Sequence, residues 1–150
     1  MGTFDWEQQI RDWSQKRIEL LEEAQKLQLS PELIASGYLG YPGATEEQIV
    51  VAETRLGITF PPSYREFLKV SNGLRSIWEG GIMFYSTEEI DWFATNKQDW
   101  IDAWHSSRQG LPSVPDEKYF IYGDEQDCIY LRTEYMQNAL AISSDCDGYI

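Results

Sequence analysis

Histidine occurs once in this 150-residue chain, at His105, and cysteine twice, at Cys128 and Cys146. That scarcity removes most metal chemistry. Neither cysteine belongs to a Cys-x-x-Cys pair, and without a second histidine a zinc or copper site would rest on carboxylates and scattered thiols. With no export signal, the cysteines read as two reduced thiols, since intracellular conditions oppose a disulfide. No apolar run approaches the ~20 residues that span a bilayer. The start, Met1-Gly-Thr-Phe-Asp-Trp-Glu7, lacks a basic region followed by an apolar stretch, so it does not read as a signal peptide. Gly2 invites the myristoylation pattern, yet Trp6 stands where Ser or Thr is wanted. These absences predict a cytoplasmic protein with no membrane partner.

Catalytic motifs are missing as well. There is no Gly-x-Ser-x-Gly elbow, and Ser106 and Ser107 beside His105 point away from it on a helix, so a Ser-His-Asp set is not expected. Gly37, Gly40 and Gly43 are followed by no Lys-Ser or Lys-Thr, which excludes a phosphate-cradling loop. Asp145-Cys146-Asp147-Gly148 has the start of a calcium loop but lacks its third aspartate, and reads as a β-turn. Asp124, Glu125 and Asp127 could bind a cation loosely or serve as glycosidase carboxylates; solvated turn residues are the default reading. The expectation is a non-enzyme with no cofactor and no metal.

Basic residues are also few, 12 Lys and Arg against 25 Asp and Glu, for a net charge of −13. The imbalance is uneven: residues 1–75 hold 11 acidic and 8 basic side chains, a net −3, whereas residues 76–150 hold 14 and 4, a net −10. Such a field repels nucleic acid and anionic membranes and speeds encounter with a basic protein. Aromatic residues, in contrast, are plentiful. Trp78, Tyr85, Trp92, Trp100 and Trp104 gather in the acidic half. Most read as core, and any left exposed beside carboxylates would suit a protein interface.

Hydrophobic spacing predicts an amphipathic helix over residues 4–29, with Trp6, Ile10, Trp13, Leu20, Ala24 and Leu27 on one face and Arg17 interrupting it. Residues 36–43, with three glycines and a proline, read as a loop. Thr45-Glu-Glu-Gln48 is a capping box that starts a helix carrying Ile49, Ala52 and Leu56, stopped by Gly57. Pro61-Pro62 opens another, with Tyr64, Phe67 and Leu68 inward and Ser71-Asn72-Gly73 at its end. Beyond it come a strand at Gly81–Tyr85, a second capping box at Ser86–Glu89 leading a helix through Ile90 and Phe93, and a helical stretch with Trp100, Ile101 and Trp104. Three strands are expected at Tyr119–Tyr122, Cys128–Arg132 and Ala139–Ser143, the first two joined by a hairpin turn of Gly-Asp-Glu-Gln-Asp. Helices followed by strands give an α+β domain. Tyr149-Ile150 begins one more strand, so the C-terminal end reads as truncated or as completed elsewhere.

The stretch from Ala44 to Gly73 resembles the signature of the SUKH superfamily, which includes fungal cell-wall-synthesis regulators of the Smi and Knr type and many bacterial immunity proteins. The residues that carry the resemblance are the Thr45-initiated helix, Leu56-Gly57, Phe60-Pro61-x-x-Tyr64-x-x-Phe67-Leu68 and Asn72-Gly73. The later hairpin and Asp147-Gly148-Tyr149 resemble the pattern more loosely. The resemblance implies an α+β fold with helices packed on a mostly antiparallel central sheet. Residues 37–150 would form that domain, and residues 1–36 an extra N-terminal amphipathic helix packed on it or appended to it. It also implies binding in place of chemistry: an immunity protein that neutralises a basic toxin domain, such as a nuclease, by direct association. A regulatory scaffold of the cell-wall-regulator type is the alternative. Leu56, Pro61, Tyr64, Phe67 and Leu68 are expected to be structural. The expected partner-binding residues lie in the acidic half: Glu88, Glu89, Asp91, Asp99, Asp102, Asp124, Glu125 and Asp127, with Trp92 and Trp100 as anchors.

Overall fold

A computed structural model describes residues 4–77, 81–127 and 129–144. Trp78, Cys128, Cys146, the Asp145–Gly148 turn and the strand expected at Tyr149-Ile150 lie outside the described residues. The protein is mixed and helix-rich, with a small two-stranded antiparallel sheet. It divides into two compact units, one running to Ile90 and resuming at Ile142, the other spanning Asp91–Ala141.

In the first unit, α1 (Trp6–Glu19) is capped by Asp5, whose carboxylate accepts the Gln8 amide. The single helix expected over 4–29 is broken. It ends at Leu20, and after two residues α2 (Glu23–Lys26) begins, with the Gln25 side chain taking the Glu22 amide. The buried face runs through Ile10, Ser14, Ile18 and Leu21, and Leu20 and Leu27, expected on the apolar face, point to solvent. Ser14, fully buried, donates its hydroxyl to Ile10 O and accepts the Leu39 amide, which ties α1 to the following loop. A further helix not expected from the spacing, α3 (Pro31–Ser36), starts from Ser30 with proline in its first turn. Leu33 and Ile34 pack from it against Ile18, Leu21, Leu39 and Ile77.

The signature segment forms as expected. The helix α4 (Glu46–Leu56) has its full capping box at Thr45 and Gln48, and Gly57 closes it in the left-handed region at φ 69°. It buries Ile49, Ala52 and Leu56. The helix α5 (Pro62–Val70) buries Phe67 and Leu68, and Tyr64 is half-buried. Phe67 is the hub of an aromatic cluster: Trp6 of α1 meets it edge-on at 5.4 Å, and Tyr64 stacks on it at 5.9 Å. Glu53 joins the two helices by accepting the Phe60 amide at 2.7 Å and the Arg65 guanidinium at 2.5 Å.

The strand expected at Gly81–Tyr85 is reduced to single rungs. Antiparallel bridges link Gly40 to Leu74, Leu74 to Phe84 and Phe84 to Ser143. Gly73 at φ 96° bends the chain on one side and the Ser86 turn bends it on the other, which leaves one residue per segment to pair. The helix expected from Ser86 does not form there either. Its hydroxyl and amide both donate to Glu89, and the Glu89 and Ile90 amides return to the Ser86 carbonyl, a single turn that gives way to extended backbone at Asp91.

In the second unit, β1 (Asp91–Trp92) pairs antiparallel with β2 (Leu140–Ala141). The helix α6 (Phe93–Ser107) follows, kinked at Lys97. The strand expected at Tyr119–Tyr122 is overturned: Pro115 opens a helical turn, α7 (Asp116–Tyr119), whose first-turn carboxylates suit a helix start. Gly123–Glu125 is a 3-10 turn in place of the hairpin turn, and Ile129–Arg132 forms no strand. Of the strand expected at Ala139–Ser143, Leu140–Ala141 pair in β2. Thr133–Asn138 is a second 3-10 segment.

Candidate functional site

In the second unit Arg132 gathers Val114, Asp116, Tyr119, Phe120 and Tyr135 around itself. Its side chain is buried, with Nε donating to the Val114 carbonyl at 2.7 Å, one terminal nitrogen to Asp116 at 2.5 Å and the other to the Tyr135 hydroxyl at 3.1 Å. The guanidinium carbon lies 4.5 Å from the Tyr119 ring centre, 5.5 Å from Tyr135 and 5.7 Å from Phe120. The rings also meet one another, Tyr119 edge-on to Phe120 at 5.0 Å and to Tyr135 at 5.8 Å. A cation held by three rings and a carboxylate is fixed by both π-attraction and charge-assisted bonds. Ser113 donates to Glu134, and that bond holds the Glu134 carboxyl below the usual carboxylate range.

This assembly leaves large apolar groups in solvent. Phe120 is 52% exposed, Tyr122 72%, Ile129 59% and Tyr135 52%. Between residues 116 and 134 there are six acidic side chains and two basic ones. One basic residue, Arg132, is already paired with Asp116, and the other, Lys118, sits 5.1 Å over the Tyr130 ring. Exposed rings and exposed carboxylates in one segment suit a basic protein, the rings as anchors and the charges for encounter.

The expected site residues fall in both units. Glu88 and Glu89 belong to the first. Glu88 accepts the Gln48 side-chain amide at 3.0 Å. Burial works against its charge, but bonds from its own backbone, Thr87, Ser86 and Gln48 outweigh this and hold its carboxyl low. The others lie in the second unit. Asp91 accepts the Trp92 amide, and Trp92 is half-buried. Asp99 and Asp102 are exposed on α6, where Asp102 accepts from Gln98. Trp100 is half-buried between Phe93 and Trp104, at 5.5 and 5.9 Å. Asp124, Glu125 and Asp127 are exposed in and after the 3-10 turn, and Asp127 accepts the Ile129 amide. These three stand within a few residues of Tyr122 and Ile129. The sequence reading missed Phe120, Tyr122, Ile129 and Tyr135. The run Pro115-Asp116-Glu117, a helix start, is the signal that could have moved residues 119–122 out of a strand.

The first unit carries a separate groove of about 800 Å³ between α1, α3 and the loop at Tyr38–Pro42. Two guanidinium–tyrosine stacks line it, Arg11 over Tyr38 at 5.4 Å and Arg75 over Tyr41 at 4.1 Å. Among the described residues no group of three or more His, Cys, Asp or Glu side chains is placed to hold a metal. His105 Nε2 lies 2.7 Å from the Thr133 carbonyl, a bond made in the tautomer protonated there. No helix among the described residues is long and apolar enough to cross a membrane.

The chain belongs to the SMI1/KNR4 family (SUKH-1), whose model matches residues 43–150. No curated protein matches it. The matched part contains the whole second unit and, in the first, the helix pair with its signature residues. Those residues are mainly architectural: Asn72 Oδ1 accepts the Thr87 amide, and the Ser71 hydroxyl accepts the Tyr41 amide.

Proposed function

We propose that this chain is a non-catalytic protein-binding domain of the immunity type, which neutralises a basic toxin domain, such as a nuclease, by direct association. The observation that carries this reading is the exposure of the large apolar side chains Phe120, Tyr122, Ile129 and Tyr135 in the same segment as the exposed carboxylates Asp124, Glu125 and Asp127. Buried rings supply most binding energy at an interface, and charges supply speed and register. A nuclease surface is basic because it must hold phosphates, so an acidic face can cover it and exclude substrate. The same reading takes residues 37–150 as a family domain with helices packed on a central sheet, residues 1–36 as its N-terminal addition, and the cytoplasm as its place of action, without a cofactor.

The test is a parallel capture from source lysate with the unaltered chain, with D124K/E125K/D127K and with F120L/Y122L. The expected result is one basic, stoichiometric protein on the unaltered chain, released as salt rises and absent from both variants. Retention by both variants, or capture of no basic protein, would overturn the assignment of this face. A second reading, a regulatory scaffold with several weaker partners, is favoured by the separate groove in the first unit.

A further inference from the structure

We infer that the aromatic surface of the second unit selects guanidinium over ammonium groups, so that its partner presents arginine to it and not lysine. This rests on the basic-partner reading and specifies its chemistry. The fold already shows which cation these rings accept. Arg132 is held by Tyr119, Phe120 and Tyr135 together with Asp116, its N–H groups going to oxygen and its guanidinium carbon within 4.5 to 5.7 Å of the three ring centres. Lys118, an ammonium in the same segment, meets a single ring, Tyr130, and no carboxylate among the described residues. Arg132 does not exhaust the surface. Phe120 and Tyr135 are each about half exposed and Tyr122 more so, with Asp124, Glu125 and Asp127 following directly in the chain.

A half-open ring with carboxylates close by in the chain offers a berth for a second guanidinium. A planar, weakly hydrated group stacks and still donates two parallel bonds in its plane. An ammonium must shed tightly held water to approach a ring face, and it donates as a point charge. Net charge treats the two alike, so a preference between them reports the rings and not the overall field.

The experiment is calorimetric titration of the full chain with arginine and lysine hexapeptides, at about 0.15 M salt, where long-range attraction is largely screened. The arginine peptide is expected to bind about fivefold tighter or more. In F120L/Y122L the two affinities should converge to within about twofold, with the lysine peptide nearly unchanged. Circular dichroism checks that variant, and Tyr122→Leu alone, at the most exposed ring, serves if the double change perturbs folding. Equal affinities in the unaltered chain, or an arginine preference that survives loss of the rings, would overturn the inference. Equal affinities that D124K/E125K/D127K abolishes would sink guanidinium selection and leave the basic-partner reading standing. Indifference of both peptides to that charge reversal would remove both.

Discussion

Tyr64 stacks on Phe67 within the signature helix, and its hydroxyl is buried with no hydrogen-bond partner among the described residues. Burial pushes its pKa up to about 12, because the phenolate would have to form away from water. A folded-state pKa above the unfolded value favours the fold while the phenol is neutral. That contribution is complete below the unfolded pKa of about 10 and is lost as pH rises toward about 12. Tyr64→Phe should therefore leave stability at neutral pH unchanged or raised by up to about 1 kcal/mol, since an unpaired buried hydroxyl is removed. It should also flatten the alkaline loss between pH 10 and 12, as followed by urea unfolding across that range. Glycine positions separate by their surroundings in the same way. A Cβ at Gly73 would lie 2.6 Å from the Phe84 carbonyl at φ 96°, whereas one at Gly57, φ 69°, meets nothing within 4 Å. Gly57→Ala is expected to cost about 1 kcal/mol, the left-handed penalty alone. Gly73→Ala should cost about 3 kcal/mol, because the clash with fixed backbone adds to it; equal midpoint shifts in urea would refute this.

Among the elements, α4 and α5 are held by local chemistry and by one shared carboxylate. Thr45→Ala removes the cap of α4 and should cost about 1 kcal/mol. Glu53→Ala should cost more, roughly 2–3 kcal/mol, because the Phe60 amide loses its acceptor and the Arg65 guanidinium is left with Glu46 alone. Thermal unfolding of the two variants tests the order. This helix pair was legible in the sequence because its signals are short-range: a capping box, a stop glycine, a proline start and a helical apolar spacing all agree within thirty residues. The second half was not. Its strands were inferred from aromatic and β-branched runs, but Tyr119 and Phe120 are turned by Pro115 and by a side chain twelve residues on, Arg132, which draws their rings around itself. The proline start is a local mark, but the pull of Arg132 on the rings is a tertiary demand that leaves none. For the site, the acidic residues at 124, 125 and 127 were readable as composition. The rings beside them were not, because in a strand alternate residues would have turned inward.

At the scale of the whole molecule, the charge of −13 sets how a partner arrives more than how firmly it stays. The triple reversal D124K/E125K/D127K moves the net charge from −13 to −7, two units for each residue. Association with a basic partner should slow by about tenfold or more at low salt and lose most of its salt dependence, while dissociation changes little. Stopped-flow mixing over a salt series measures both, and an unaltered association rate would move the docking face elsewhere. Chain order adds a consequence for how the protein folds. Residues 91–141 are an insertion between the rungs at Phe84 and Ser143, and Met83 bonds to Ser144 across 61 positions. Closing so long a loop is entropically unfavourable, but β1 and β2 pair Asp91 with Ala141 at the neck of the insertion. Once that neck is tied, the free segment left to close is shorter by between two and three doublings, so about 1.5 kcal/mol of the closure cost moves from the rungs to the neck. The two-residue strands thus act as a drawstring: they bear the long closure themselves, and the rungs of the first unit then have only a short gap to bridge.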